Sequence, residues 1–285
     1  MSLDLRAVES LMAFWADAGV EVAYAPEPQD RTAHAAAILK GKTEPAKTAT
    51  PSRPERMAAA PLAPPRPRFD FTATVAAAPP PAAEDARRLA AAAPDLEALA
   101  DAIAAFDGCG LKFEGAKQAV FSRGAPDAPV MIIGEGPGAD EDRQGQPFVG
   151  RAGQLLDRMI AAAGLEGRVF ITNTVFWRPP GNRTPSPDEQ LACAPFLERA
   201  IALVKPKVLL LAGGASAKSV LKQSAGILSL RGRWFEWRSE DGALEIPALP
   251  TLHPAFLLRQ PGAKKKAWED LLTLAERVDR PHRPA

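Results

Sequence analysis

From Cys109 onward the chain alternates short, continuous apolar runs with amphipathic stretches, and few architectures accept that pattern. The runs are PVMIIG (129–134), RVFITNTV (168–175), KVLLLAG (207–213) and IPALPTL (246–252). Helical periodicities fill the gaps over 150–164, 187–204 and 214–224. A strand that is apolar throughout must be covered on both faces, and strands separated by helices run parallel. The expected fold is α/β: a three-layer αβα sandwich around a central four-stranded parallel sheet. Ligands in such sheets bind beyond the carboxyl ends of the strands. That rule selects four loops, Gly134–Gly138, Asn173–Arg183, Gly213–Ala215 and His253–Arg259.

The first third of the chain reads differently. Leu5, Val8, Leu11, Met12 and Trp15 stand at helical spacing, so a short helix is expected within 1–24. Residues 25–83 are dominated by Ala, Pro, Arg, Lys and Thr and show no apolar periodicity, which predicts a linker that cannot bury enough surface to order itself. The folded domain is expected over 84–278, opening with helices interrupted at Pro94 and capped by Asp95, and a short tail over 279–285. No run approaches the roughly 20 apolar residues of a membrane span. MSLDLRAVES lacks the basic and apolar segments of a secretory leader. Residues 1–105 carry a net charge of −3 and 106–285 one of +4, a mild bias compatible with a local phosphate-binding face. The only two cysteines, Cys109 and Cys193, cannot make a disulfide scaffold.

Three of the loops carry residues with chemical potential. The turn after the first strand, GEGPGADEDRQGQPFVGRAG (134–153), is rich in glycine but lacks a phosphate-cradle spacing. Its acids Glu135, Asp140, Glu141 and Asp142 would repel a nucleotide phosphate. Backbone lying close to a flat ligand suits these glycines better. Asn173, at the end of the second strand, offers one donor and one acceptor, as reading a base edge requires, though it is equally able to cap the following turn. Arg178 and Arg183 follow in a Pro/Gly-rich loop, where they can reach phosphates. His253 ends the fourth run. Beyond it come Leu257, Leu258, Arg259 and Lys264–Lys266, an apolar wedge flanked by cations of the kind that unstacks a base and holds its neighbouring phosphates.

Together GEGPGADEDRQGQPFVGRAGQLLD, TNTVFWRPPGNRTP and LHPAFLLR closely resemble the uracil-DNA glycosylase superfamily, family 4, over roughly residues 103–275. The resemblance implies an enzyme of base-excision repair, a hydrolase that flips uracil from single- or double-stranded DNA and cleaves its N-glycosidic bond. It implies that Phe148 stacks on uracil and that Asn173 bonds its polar edge. The Gly134, Glu135 and Gly136 turn would shape the pocket near the sugar and water, while His253 would bond the oxygen that gains negative charge. It makes Leu257 the wedge, and Arg178, Arg183 and Arg259 DNA contacts. A monomer in the bacterial cytoplasm, associated with the nucleoid, is the implied setting. The rival reading is a glycosylase-like module that binds deaminated or abasic DNA without excision.

The chain also departs from the pattern. Family 4 members hold an iron–sulfur cluster on four cysteines; the corresponding positions here are Phe106, Cys109, Trp177 and Cys193. Two thiolates cannot supply four-cysteine ligation. The expectation is therefore no cofactor and no metal, with the two rings filling the cluster's volume and the two thiols buried close together. Other branches place an aspartate two residues after the first motif glycine, where this chain has Gly136. Glu135, or an acid among Asp140–Asp142, is left to orient water. The basic, histidine-bearing insert of a covalent branch is absent from WRPPGNRTPS, so hydrolysis without a stable adduct is expected.

Overall fold

A computed structural model describes residues 81–279. The helix expected within 1–24, the linker as far as residue 80 and the tail beyond Asp279 lie outside the described residues. Helix α1 spans Pro81–Ala92, with Ala83 already buried, and α2 spans Leu96–Ala105. Asp95 caps α2 by accepting a 2.9 Å hydrogen bond from the Ala98 amide.

Among the described residues the sheet has six strands. They are β1 (Ser122–Gly124), β2 (Val130–Gly134), β3 (Val169–Asn173), β4 (Val208–Ala212), β5 (Phe235–Arg238) and β6 (Glu245–Thr251), in the spatial order β1-β3-β2-β4-β6-β5. The inner four, β3-β2-β4-β6, are parallel and correspond to the four apolar runs. The sheet is wider than the four strands expected because β1 and β5 add antiparallel edges. Edge strands need no apolar run. Ser122-Arg123-Gly124 is polar, and in β5 only Trp237 is buried.

Alternate residues of the inner strands serve two cores. Met131, Ile133, Phe170, Leu209 and Leu211 face one layer, with α1, α2 and α5 (Pro187–Val204). Val130, Ile132, Ile171, Leu210 and Leu249 face the other, with α4 (Arg151–Ala162) and α9 (Lys264–Asp279). The remaining helices are short: α3 (Ala139–Gln144), α6 (Gly214–Leu221), α7 (Ile227–Leu230) and α8 (Pro254–Arg259). Among the described residues no helix is long and apolar enough to cross a membrane.

One buried charge ties the loop end of the sheet together. Asp270 of α9 accepts bonds from Arg231 Nη2 at 2.6 Å and Nε at 3.1 Å, just after α7, and from Thr251 Oγ1 at 2.7 Å, at the end of β6. Burial pushes this carboxyl up from the usual range, while Thr251 and Arg231 pull it back. Replacing it by Ala leaves a half-buried guanidinium with only the more distant, exposed Glu269, 3.9 Å away, as counter-ion. Asp270→Ala is expected to lower stability by about 3 kcal/mol, read from urea unfolding.

Candidate active site

The carboxyl ends of β2, β3 and β6 open on a cleft of about 450 Å³ lined by Glu135, Gly136, Glu141, Phe148, Asn173, Arg183, His253 and Arg259, among others. Strand register creates the first contact. Gly134 and Asn173 are direct partners across β2 and β3. A Cβ at Gly134 would lie 2.3 Å from Asn173 Oδ1 and 2.6 Å from the Phe148 ring, so both side chains close over that glycine. Phe148 in turn lies against His253, ring centroids 5.6 Å apart and planes 29° from parallel. A phenyl ring, a carboxamide and an imidazole therefore meet at one place, as the sequence motifs require.

Each of the three is held by its neighbours. Asn173 is 1% exposed, and among the described residues neither Nδ2 nor Oδ1 has a hydrogen-bond partner. Buried polar atoms are ordinarily paired, and an unpaired amide costs roughly 1–3 kcal/mol. It does not cap the turn; Thr174 serves there instead, its Oγ1 donating to the Glu135 carbonyl at 2.6 Å. His253 caps α8, its Nδ1 accepting from the Ala255 amide at 3.1 Å. That acceptor role leaves the proton on Nε2, a neutral donor. Gly213, at φ +99°, is where the chain passes His253, since a Cβ there would fall 2.9 Å from the imidazole Cβ.

Glu141 is the organising residue that motif reading left unresolved. Its Oε1 accepts from the Val149 amide at 2.9 Å and the Gly150 amide at 2.8 Å, and its Oε2 from the Gly138 amide at 3.1 Å. The spacing Gly138-x-x-Glu141 at a helix start is half of a capping box and was the available signal. Asp142 is likewise internal, accepting from the Lys117 amide at 2.8 Å, and Asp140 pairs with Arg143. Of the four acids, Glu135 alone lines the cleft with no side-chain hydrogen bond among the described residues.

Of the expected DNA contacts, one needs correction and another is held in ion pairs. Leu257 is fully buried with Leu155, Leu252 and Ala267, because its position on α8 faces the core. Leu258, one residue on, is the exposed one. Arg183 lines the cleft and is engaged by Glu189 at 2.6 and 2.8 Å and by Glu114 at 3.1 Å. The Glu189 carboxyl is held below its usual range, first by that guanidinium. Arg178 bonds Asn182 Oδ1 within its own loop at 2.8 Å. Arg259 stays at the cleft, with an exposed side chain.

The four positions matching the cluster motif form a packed core. Phe106, Cys109, Trp177 and Cys193 are all at most 3% exposed, and the Phe106 ring lies 5.1 Å from that of Phe196. The Cys193 thiol donates to Cys109 Sγ at 3.9 Å. Burial pushes Cys193 well up, and its hydrogen bond pulls Cys109 down. Two thiols and two rings do not fit a four-thiolate cluster. Among the described residues no group of three or more His, Cys, Asp or Glu is arranged for a metal ion.

The family model of the uracil DNA glycosylase superfamily matches residues 121–272. The chain belongs to this superfamily. It is 41% identical over 171 residues to the type-4 uracil-DNA glycosylase of Sulfurisphaera tokodaii, an overlap of 58% of this chain and 77% of that one. Against the type-4 enzyme of Pyrobaculum aerophilum the identity is 38% over 183 residues, 62% of this chain and 91% of the relative. The Thermotoga maritima type-4 enzyme is 42% identical over 143 residues, 49% and 71% of the two chains. The matched region of this glycosylase contains every strand of the sheet and all three converging side chains.

The imidazole supplies a titration test. His253 is lowered from 6.5 to about 4, first by burial and then by the charge of Arg259, with Glu141 opposing. The neutral ring's stabilising contribution is thus complete above about pH 6.5 and is lost as pH falls toward 4. An NMR titration of the His253 ring should show a midpoint near 4, moved upward by Arg259→Gln, because a repelling cation is removed.

Proposed function

We propose that this uracil-DNA glycosylase draws uracil out of DNA into the cleft and hydrolyses its N-glycosidic bond, leaving free uracil and an abasic site. The observation that carries the reading is the unpaired carboxamide of Asn173. Uracil presents a carbonyl acceptor beside an N–H donor, and a single carboxamide answers both. Cytosine presents the reverse order at the exocyclic position and is matched only by the opposite orientation of the amide. Phe148 supplies a face for the base, a stack of about 1–3 kcal/mol.

Bond cleavage places positive charge on the sugar and negative charge on the departing base. His253 Nε2–H is the donor aimed at the base oxygen that gains charge, worth on the order of 3 kcal/mol. Being neutral, it donates without first having to lose or gain a proton. Glu135, the acid in the cleft not committed to a backbone amide, orients the attacking water beside the Gly136 turn. Extrusion costs a few kcal/mol, and in this reading exposed Leu258 takes the vacated place in the stack. Arg259 and Lys264–Lys266 hold the flanking phosphates. No metal or iron–sulfur cluster takes part in the proposed cycle.

Two measurements check this. Asn173→Asp exchanges the donor for a second acceptor and should abolish uracil release from labelled oligonucleotides; unchanged release refutes the assignment. His253→Ala should slow release by roughly 10²–10³. Independently, the purified protein should contain no stoichiometric iron and show no visible absorption. A brown preparation with about four irons per chain would overturn the cluster-free cycle.

A further inference from the structure

Arg123 lies on the edge strand β1, outside the cleft, and none of the motif residues includes it. Its guanidinium nevertheless reaches the backbone that carries the site's aromatic ring. Nε donates to the Pro147 carbonyl at 2.8 Å, and Nη2 to the Phe148 carbonyl at 3.1 Å and to Asp157 Oδ1 at 2.6 Å. The side chain is only 23% exposed, and its Nε and Nη2 donors are turned to the protein.

The backbone it grips is unusual. Phe148 has φ 55°, a left-handed conformation that a bulky residue rarely adopts and that persists only when its surroundings over-determine it. The carbonyl is confined from the other side by α4, where a Cβ at Gly153 would fall 1.7 Å from the Phe148 oxygen. Glu141 holds the two following amides. Arg123 completes the cage by fixing two successive carbonyls with one planar fork, a geometry that a lysine ammonium cannot reproduce.

We propose that Arg123 is a positioning residue: it locks the left-handed Phe148 backbone and thereby sets the ring plane against which the base stacks. The inference rests on the reading of Phe148 as the stacking ring. It assigns Arg123 to base affinity and not to DNA capture, since its donors face carbonyls and Asp157.

The test is a double-mutant cycle read by competitive inhibition with free uracil, by binding to abasic DNA and by thermal midpoint. Arg123→Met should weaken inhibition by uracil roughly tenfold, the scale of a lost charge-assisted bond. Arg123→Lys, which keeps the charge and one donor, should recover about half of that loss on a logarithmic scale. Neither should alter binding to abasic DNA, which offers no base to stack. In a Phe148→Ala background, Arg123→Met should change uracil inhibition less than about twofold. Equal losses in both backgrounds, or a lowered midpoint with unaltered uracil inhibition, would overturn the inference. If Arg123→Met does not fold, Arg123→Lys gives the same comparison in both backgrounds. Should Phe148→Ala leave uracil inhibition unchanged, the stacking reading fails and this one with it. A weakened Phe148→Ala beside a normal Arg123→Met refutes only the role of Arg123.

Discussion

Gly134 ends the central strand without a Cβ, and the carboxamide of Asn173 and the ring of Phe148 both occupy the space that carbon would take. Interiors pack at crystal-like density, so a methyl there could not be absorbed by small shifts. The rest of the site follows from that closeness. Phe148 must leave the ordinary backbone regions to bring its ring over the strand end. Gly153 must be bare to let its carbonyl pass, and Glu141 must gather the amides that the turn exposes. His253 reaches the same place from the far strand because Gly213 lets the chain run beside it.

The electrostatics of the loops is correspondingly inward. A run of acids after β2 looks like a negative surface when written as GADED. In space Glu141 and Asp142 are spent on backbone amides and Asp140 on Arg143. Arg183 looks like a phosphate hook and is bound by two carboxylates. Arg259, by contrast, lies at the cleft with an exposed side chain. Charge counted along a sequence overstates what a partner meets, because hydrogen bonding at helix starts consumes much of it.

The legible parts of the sequence were those with a period. Four apolar runs gave four parallel strands, and PDEQLACAPFLERAIALV gave α5 to the residue. Asp95 announced its cap. β1 and β5 carried no such signal, since an edge strand is half solvated and Ser-Arg-Gly has neither apolar content nor length. Helix α9 did carry one, with Ala267, Leu271, Leu274 and Val278 on one buried face, but its KKK start reads as a charged loop. At the site, Asn173, Phe148 and His253 were visible through motifs. Leu257 and Leu258 could not be told apart, because which of two adjacent leucines turns inward depends on where α8 begins. Glu141 and Arg123 act on backbone atoms, and sequence names side chains only.

The neutral state of His253 separates two kinds of attraction under the proposed reaction. Capture of a polyanion by Arg259 and the lysines releases counter-ions and fades steeply as salt is added. A neutral dipole carries no counter-ions to lose, so in the proposed reaction the bond-breaking step would be far less sensitive to the same change. Under the proposed reaction, ionic strength would act on how often the enzyme meets a lesion, while the speed of cutting once the base is seated would stay the property of the cleft.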